Sequence, residues 1–478
     1  MPESTVVVVG AGPAGLAFGL SYARRGHRVT LLERDAPPPL DDAAGAFDTW
    51  ARPGVPHHRL PHSLLGRTRR ALRENAPDVL ETMLHEGAWE NDLATRLLGD
   101  AAEAHDADLV AVHCRRPFFE CVLRRAAEAE PLLTIESGVK VLGITVRAHG
   151  ASRATVTGVR TDGGSVEADM VIDSSGRRSV IRRSLQESGL AVPEAQVEPC
   201  GVVYYCRYFQ LRPGVDLPDW RGVLGPGGTT DCTRFSIFFG DNRTYSVVLG
   251  VLSSVREFRA LAREKTYMEA ASRFHPLTPF VDAATAEPIT GVVAMGALQN
   301  VFHPPLLDDG PPVLGLHFLG DAYCHTNPLF AWGLCLALDY GFRLAGIVSE
   351  HPTDLEAQAL AFADATQVEA GQCFRAVADE DRDRTLTWQG EQPSGSWLGR
   401  TFAGFVRQCA QPAVMLDPQV ARAVLRRSQL LDRPDDLMKR DGVIQRIVAL
   451  QPQLQAPPPG SFPSRPELLE LMAQALPS

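Results

Sequence analysis

Four valines, Val6 to Val9, run unbroken near the start of the chain, helical spacing follows from Pro13 to Arg25, and Val29 to Leu32 forms a second apolar run. An unbroken β-branched run predicts a strand covered on both faces, and a 3.6-residue rhythm predicts a helix, so the chain opens with a βαβ unit. After Glu33 the period is lost through APPPLDDAAG and ARPGVPHHRLPH; helical spacing returns over 63–75, 78–86 and 117–129. Strand-length segments are predicted over 132–135, 139–146, 154–161, 165–168 and 170–173. The middle of the chain changes character: GVVYYCRYFQL, TRFSIFFG and TYSVVLGVL are rich in aromatic and β-branched residues and predict an inserted antiparallel sheet. Alternation along TRFSIFFG sets Phe235, Ile237 and Phe239 on one face and Arg234, Ser236 and Phe238 on the other. A helix over 255–274, strands in PITGVV and GLHFLGD, and a helical pattern over 326–350 follow. The remainder is helix-rich with proline breaks, without an internal repeat. These shifts divide the chain into 1–188, 189–285 (the inserted sheet), 286–350 and 351–478.

At 478 residues the chain has material for two or three domains, and its formal charge of −10 leaves no electrostatic footprint for nucleic acid. Nine cysteines, odd in number and without a CxxC pair, fit reduced thiols in the cytoplasm. The first apolar run lacks the basic flank and cleavage site of a signal peptide, and the apolar stretch 331–348 carries Asp339 and Arg343, so no membrane span is expected. Only three lysines occur, Lys140, Lys265 and Lys439.

Three spaced glycines stand where the first strand meets the first helix, in GAGPAG: Gly10, Gly12 and Gly15, with Ala14 between the last two. The first permits a tight turn, the second lets a pyrophosphate approach the backbone, and the third lets helix pack on strand. The anion then lies at a helix N-terminus. Glu33, followed by Arg34, ends the second strand about 20 residues on, where a carboxylate accepts hydrogen bonds from ribose hydroxyls. Strand, glycines, helix, strand and acid in register predict a dinucleotide site, leaving NAD and FAD both open.

The segment FLGDAYCHTNPLFAWGLCLALDYGFRLA, 318–345, resembles the second FAD fingerprint of glutathione-reductase-type flavoproteins, in particular the FAD-dependent monooxygenases and flavin-dependent halogenases. The resemblance implies FAD, an α/β Rossmann-like FAD-binding domain, an inserted antiparallel β-sheet substrate domain and a helical C-terminal region. By that likeness Gly320 and Asp321 bind flavin ribityl or ribose hydroxyls, and Pro328 leads to a helix start at Gly333 whose positive end faces the isoalloxazine. Arg116, with Phe119 and Leu123 at helical spacing, is similar to the arginine that steadies the FAD pyrophosphate. MVIDSSGRRSVIR, 170–182, resembles the strand and turn beneath the flavin, and the loop after the second strand is expected to bring Arg52 against FAD.

What the resemblance implies for chemistry is reduction of FAD by NADH or NADPH, reaction with O2 to a C4a-hydroperoxyflavin, and hydroxylation or epoxidation of a hydrophobic small molecule in specialised metabolism. Aromatic hydroxylases of this group carry an Asp-Gly pair in the turn where this chain has Ser175-Gly176, which leaves room for a separate flavin reductase. The loop PLFAWG is closer to the halogenase form. Yet Phe330 stands where tryptophan halogenases have a glutamate, the first lysine is Lys140, and no WxWxIP segment occurs. A halogenase, an oxidase or dehydrogenase without oxygen insertion, and a non-redox flavin-dependent cyclase are the alternatives. His58 in the PHHRLPH loop and His325, four residues after Asp321, are candidate bases for a phenolic substrate; a metal site in that loop is not expected, for want of further ligands. The charged run VADEDRDRTLTWQG, 377–390, reads as a solvated helix face, in a region that either caps the substrate pocket or forms a subunit interface.

Overall fold

In the computed structural model, which describes residues 4–149, 153–220, 225–391, 402–453 and 462–475, a five-stranded parallel sheet carries the glycine motif. Its strands run in the order Leu316–Phe318, Met170–Asp173, Val6–Val9, Val29–Glu33 and Leu133–Ser137. The four valines lie in its middle and are used on both sides. Val6 and Val8 join a core with the helices Pro13–Arg24 and Trp332–Glu350. Val7 and Val9 join a second core with Ile181 and Leu185 of the helix Val180–Glu187 and with the outer sheet of Val141–Ala148 and Ala154–Thr161. Each such buried side chain contributes roughly 1.5–3 kcal/mol. The helices Pro13–Arg24 and Trp332–Glu350 touch closely at Gly341, where a Cβ would stand 2.7 Å from the Ala14 carbonyl oxygen.

The second sheet is antiparallel, in the order Gly227–Thr229, Thr233–Phe239, Thr244–Leu252, Val202–Leu211 and Ala286–Pro288, and Val293–Met295 also pairs with Val202–Leu211. Phe235, Ile237 and Phe239 face one core, closed by Tyr267, Phe274 and the helix Arg465–Ala475. The opposite face, with Tyr204, Cys206, Val248 and Phe238, packs with Leu60, Leu329 and Trp388. That second face therefore looks toward the loop that follows Asp321.

Several expectations need revision. The helix expected over 255–274 is two pieces, a 3-10 helix Arg256–Ala262 and an α-helix Glu264–Ser272, separated by extended Arg263. The break lets Phe258 and Leu261 share the sheet core with Tyr267 and Ala271. The pattern over 326–350 begins as a 3-10 turn, Pro328–Phe330, and the helix starts at Trp332 after left-handed Ala331 (φ 56°). The strand pair Trp89–Asp92 and Val110–His113 was not foreseen.

The charged run 377–390 is not a solvated face. It ends the 35-residue helix Leu355–Gln389, and Glu380, Asp381, Asp383 and Arg384 are all buried against the second sheet and the loop at 327. Charge spacing alone does not reveal which side of a helix meets a polar partner. No described helix is long and apolar enough to cross a membrane.

Candidate functional site

The three glycines divide into two kinds. At Gly10 (φ +100°) an added Cβ would stand 2.8 Å from the Ser174 carbonyl oxygen, and at Gly15 it would stand 2.1 Å from the Gly10 carbonyl oxygen. These two are required by the chain's own packing. Gly12 is different, because among the described residues no atom beyond its chain neighbours lies within 4 Å of the place its Cβ would occupy. It caps the helix Pro13–Arg24 from an extended conformation, without a side-chain hydrogen bond. A bare backbone facing open space at a helix N-terminus is the shape a pyrophosphate needs.

Glu33 closes one side of this turn. Its Oε2 accepts from the Ala11 N–H at 2.8 Å and from Arg52 Nη2 at 2.6 Å, and its Oε1 accepts from the Asp35 N–H at 2.9 Å. A carboxylate offers about four acceptor positions, so one remains for a ribose hydroxyl. Arg52 is enclosed by carboxylates, pairing with Glu33, with Asp35 at 3.5 Å and with Glu120. Glu120, fully buried, also pairs with Arg116 one helical turn away. Burial, the largest effect on Glu120, pushes its pKa up, but Arg116 and Arg52 together bring it down to about 2. The result is a continuous buried chain, Arg116–Glu120–Arg52–Glu33, from the arginine expected to steady the pyrophosphate to the acid expected to read the ribose.

Asp321 closes the other side. Gly320 is left-handed (φ +58°) and approaches Ala14, whose Cβ would stand 3.2 Å from an added Cβ. Arg177 Nε lies 3.2 Å from Asp321 Oδ2, and its Nη2 lies 2.9 Å from His57 Nδ1. His62 Nε2 lies 3.3 Å from Arg116 Nη1. The PHHRLPH loop thus spans from Arg116 to Arg177 and joins the two fingerprints. His325 Nδ1 lies 3.1 Å from the Asp321 backbone oxygen, and burial lowers its pKa. The 3-10 turn at Pro328 is capped by the Asn327 side chain, which accepts from the Leu329 N–H at 3.1 Å. Beyond it, Gly333 again has no atom within 4 Å of its would-be Cβ.

Contacts bring Gly10, Gly12, Gly15, Glu33, Arg52 and Arg116 to one turn and Gly320 against Ala14, while Arg34 and His58 are engaged elsewhere in the loop. Arg34 is exposed and donates to the Gly54 carbonyl at 2.6 Å, across the loop and not into the turn. His58 is buried edge-on against Trp50 at 4.7 Å with neither ring nitrogen hydrogen-bonded. Burial takes its pKa down to about 4, so it stays neutral and is a weak proton acceptor at neutral pH. It sits with Arg52 and Glu120, not at the loop after Asp321.

Sequence reasoning missed Glu120, whose i, i+4 spacing from Arg116 was visible, and Arg177. It also missed a hub around Asp381. There Asp381 accepts from Asn327 Nδ2 at 2.7 Å, Asn300 Nδ2 at 2.8 Å and Arg384 Nη2 at 2.8 Å, while Tyr204 donates to Asn327 Oδ1 at 2.9 Å. The helix Leu355–Gln389 thereby fixes the loop at 327.

Comparison with known proteins fits this geometry. A model of the FAD dependent oxidoreductase family matches residues 5–201. That match makes these residues similar to FAD-dependent oxidoreductases. Over 195 residues the chain is 32% identical to 6-methylpretetramide 4-monooxygenase of Streptomyces rimosus, a match covering 38% of this chain and 40% of that protein. The chain thus spans about two-fifths of the length of that relative. Two solved structures share the whole architecture. The flavin-dependent brominase Bmp2 superposes with a TM-score of 0.60 at 16% identity, covering 94% of this chain and 100% of Bmp2. PqsL of Pseudomonas aeruginosa gives a TM-score of 0.56 at 15% identity, covering 82% of this chain and 97% of PqsL. The open backbone at Gly12 and the remaining acceptor position of Glu33 are compatible with the pyrophosphate and adenosine portions of FAD.

Proposed function

We propose that the protein is an FAD-dependent monooxygenase that transfers one oxygen atom of O2 to a hydrophobic small molecule of specialised metabolism. The single observation that carries this reading is the open backbone at Gly12 beside Glu33, joined through Arg52 and Glu120 to Arg116 in one buried assembly, with Gly320 brought against Ala14 and Asp321 against Arg177; the sheet face of Phe238 and Val248 packs with Leu329 of the loop beyond Asp321. FAD, when bound there, supplies the activation of O2. The chain's own part is to bind and orient: Gly12 and the following helix take the pyrophosphate, Glu33 and Asp321 take hydroxyls, and Arg116 steadies charge. The sheet face excludes water, which oxygen transfer needs more than it needs a dedicated acid.

Electrons come from NADH or NADPH, directly or through a separate flavin reductase. The Ser175–Gly176 turn favours the reductase, since the acid of this segment, Asp173, is turned inward and accepts from the Ser175 N–H at 3.0 Å and from Ser175 Oγ at 2.6 Å. Nine buried free thiols support a reducing, cytoplasmic setting. Lysine-dependent halogenation is less well supported: Lys140 is exposed, Lys265 and Lys439 are 90% and 67% exposed, and the Phe330 ring packs on Trp332 at 5.0 Å. Turnover under isotope-labelled O2 tests the reading, with one labelled oxygen atom expected in the product. Unlabelled product would reject it. Anaerobic mixing with NADH or NADPH separates the two electron routes, because rapid bleaching of the flavin absorbance requires direct reduction.

A further inference from the structure

Beside the sheet face that looks toward the loop at 327 lies a group of arginine and carboxylate side chains, Arg234 from the sheet and the others from helices packed on it, that the proposed oxygen transfer does not use. Arg234 lies on this face beside Tyr204, near Gly250, where an added Cβ would meet both side chains. Its Nη1 donates to Thr229 Oγ1 at 3.2 Å, and its Nε is buried without a hydrogen bond. Arg384 is fully buried; Nη2 is held by Asp381, and Nη1 is buried and unpartnered. Arg407 pairs with Asp383 and leaves Nε unpartnered. Glu380, 5% exposed, has a buried Oε2 with no donor. The charges that bear on Glu380 are, in order, Arg384, Arg427, Arg234 and Arg407. Among the described residues, neither Arg234 nor Arg427 touches a carboxylate.

Three orphaned guanidinium donors and one orphaned acceptor are therefore gathered in one place. Each buried group left unpaired costs about 1–3 kcal/mol, and more where it is charged. Such a group is retained where a ligand completes it. Donors outnumber acceptors, so the missing partner is an acceptor. Arginine favours planar or delocalised oxyanions that take several N–H bonds at once. The neighbouring Phe238, Leu329 and Val248 are apolar, with Phe238 and Leu329 only partly covered.

We propose that Arg234, backed by Arg384, Arg407 and Arg427, binds an oxyanion of the substrate, so that the substrate is an acidic molecule with an apolar body and not a neutral hydrophobic one. Carboxylates, phenolates and enolates share this chemistry. The assignment rests on the monooxygenase reading for the word substrate, but the site itself is a claim about ligand charge. Arg234 orients the anionic end, the body lies along the sheet face, and the loop at 327, tied to Asp381, sets the distance to the flavin.

The test uses FAD-loaded full-length protein and two probes, 3-hydroxy-2-naphthoate and its neutral methyl ester, with binding followed by equilibrium dialysis and by perturbation of the flavin spectrum. The free acid is expected to bind about tenfold or more tightly than the ester. R234M should lose that preference while retaining FAD and the weak binding of the ester, R234K should keep part of it, and E380Q should bind the acid no more weakly than the wild type. Equal binding of both probes, absence of binding by either at millimolar concentration, or a loss in E380Q equal to that in R234M would overturn the site. Failure of labelled oxygen to reach a product would reject the monooxygenase reading and leave this preference for charge untouched.

Discussion

Two buried assemblies of arginine and carboxylate, one at the glycine turn and one beside the loop at 327, are built on opposite principles. In the chain Arg116–Glu120–Arg52–Glu33 each carboxylate is directly contacted by at least one guanidinium. Around Glu380 four arginines exert their charge, yet none is hydrogen-bonded to it. Both acids are lifted by burial as the largest effect. Paired Glu120 nevertheless ends at about 2, while the pKa of unpaired Glu380 ends above its ordinary value. The direction of the shift thus records whether pairing has overcome desolvation. A closed assembly holds geometry; an open one is poised to accept a partner.

The comparison breaks most visibly at Glu120. E120A leaves Arg52 and Arg116 buried without their shared carboxylate, and removal of one partner from such a group costs about 3–5 kcal/mol. Urea titration should register this loss, together with weaker FAD binding even where the fold survives. Acid provides a second reading of the same residue. Because its folded pKa is depressed, the stabilisation by Glu120 is complete above the unfolded value near pH 4.3 and is lost as pH falls toward about 2. E120Q should show a flatter acid limb than the wild type, and identical limbs would mean that Glu120 is not held as described.

Gly12 sharpens the contrast between residues that serve the fold and those that serve the ligand. G12V places its side chain in empty space from an extended backbone that valine readily adopts. Stability should change by less than about 0.5 kcal/mol, while FAD affinity falls about 100-fold, or ~2.7 kcal/mol. G15V, which would clash at 2.1 Å with the Gly10 carbonyl, should instead fail in folding. Parallel loss of stability and flavin in both variants would remove the distinction.

How much of this was legible follows the range of the physics involved. The βαβ unit, the glycines and Glu33 are local: backbone conformation and period fix them within some thirty residues, and the parallel sheet has the expected strands. The alternation along 233–239 separated the sheet faces correctly, because a strand's period of two survives whatever packs on it. The run 377–390 was misread because a helix does not announce what lies opposite it. Asp381 is buried only because Asn300 and Asn327, more than fifty residues earlier, arrive at the same place. The position of His58 was not legible for the same reason, since the loop that carries it folds back onto Trp50.

The smallest effect belongs to Glu380, and it is the one that decides between the two principles. A carboxyl whose folded pKa is raised binds its proton more tightly in the native state than in the unfolded chain, so its contribution is a penalty at high pH that fades as pH falls through the folded value. E380Q keeps the shape and removes the uncompensated charge. It should therefore match the wild type or exceed it by about 1 kcal/mol near pH 7, with the gap closing as pH falls through the folded value. If E380Q were instead destabilised as strongly as E120A, the carboxylate would be engaged in pairing equivalent to that of Glu120. The assembly around it would then be closed, and the donors of Arg234 and Arg384 would have no vacancy to offer a ligand.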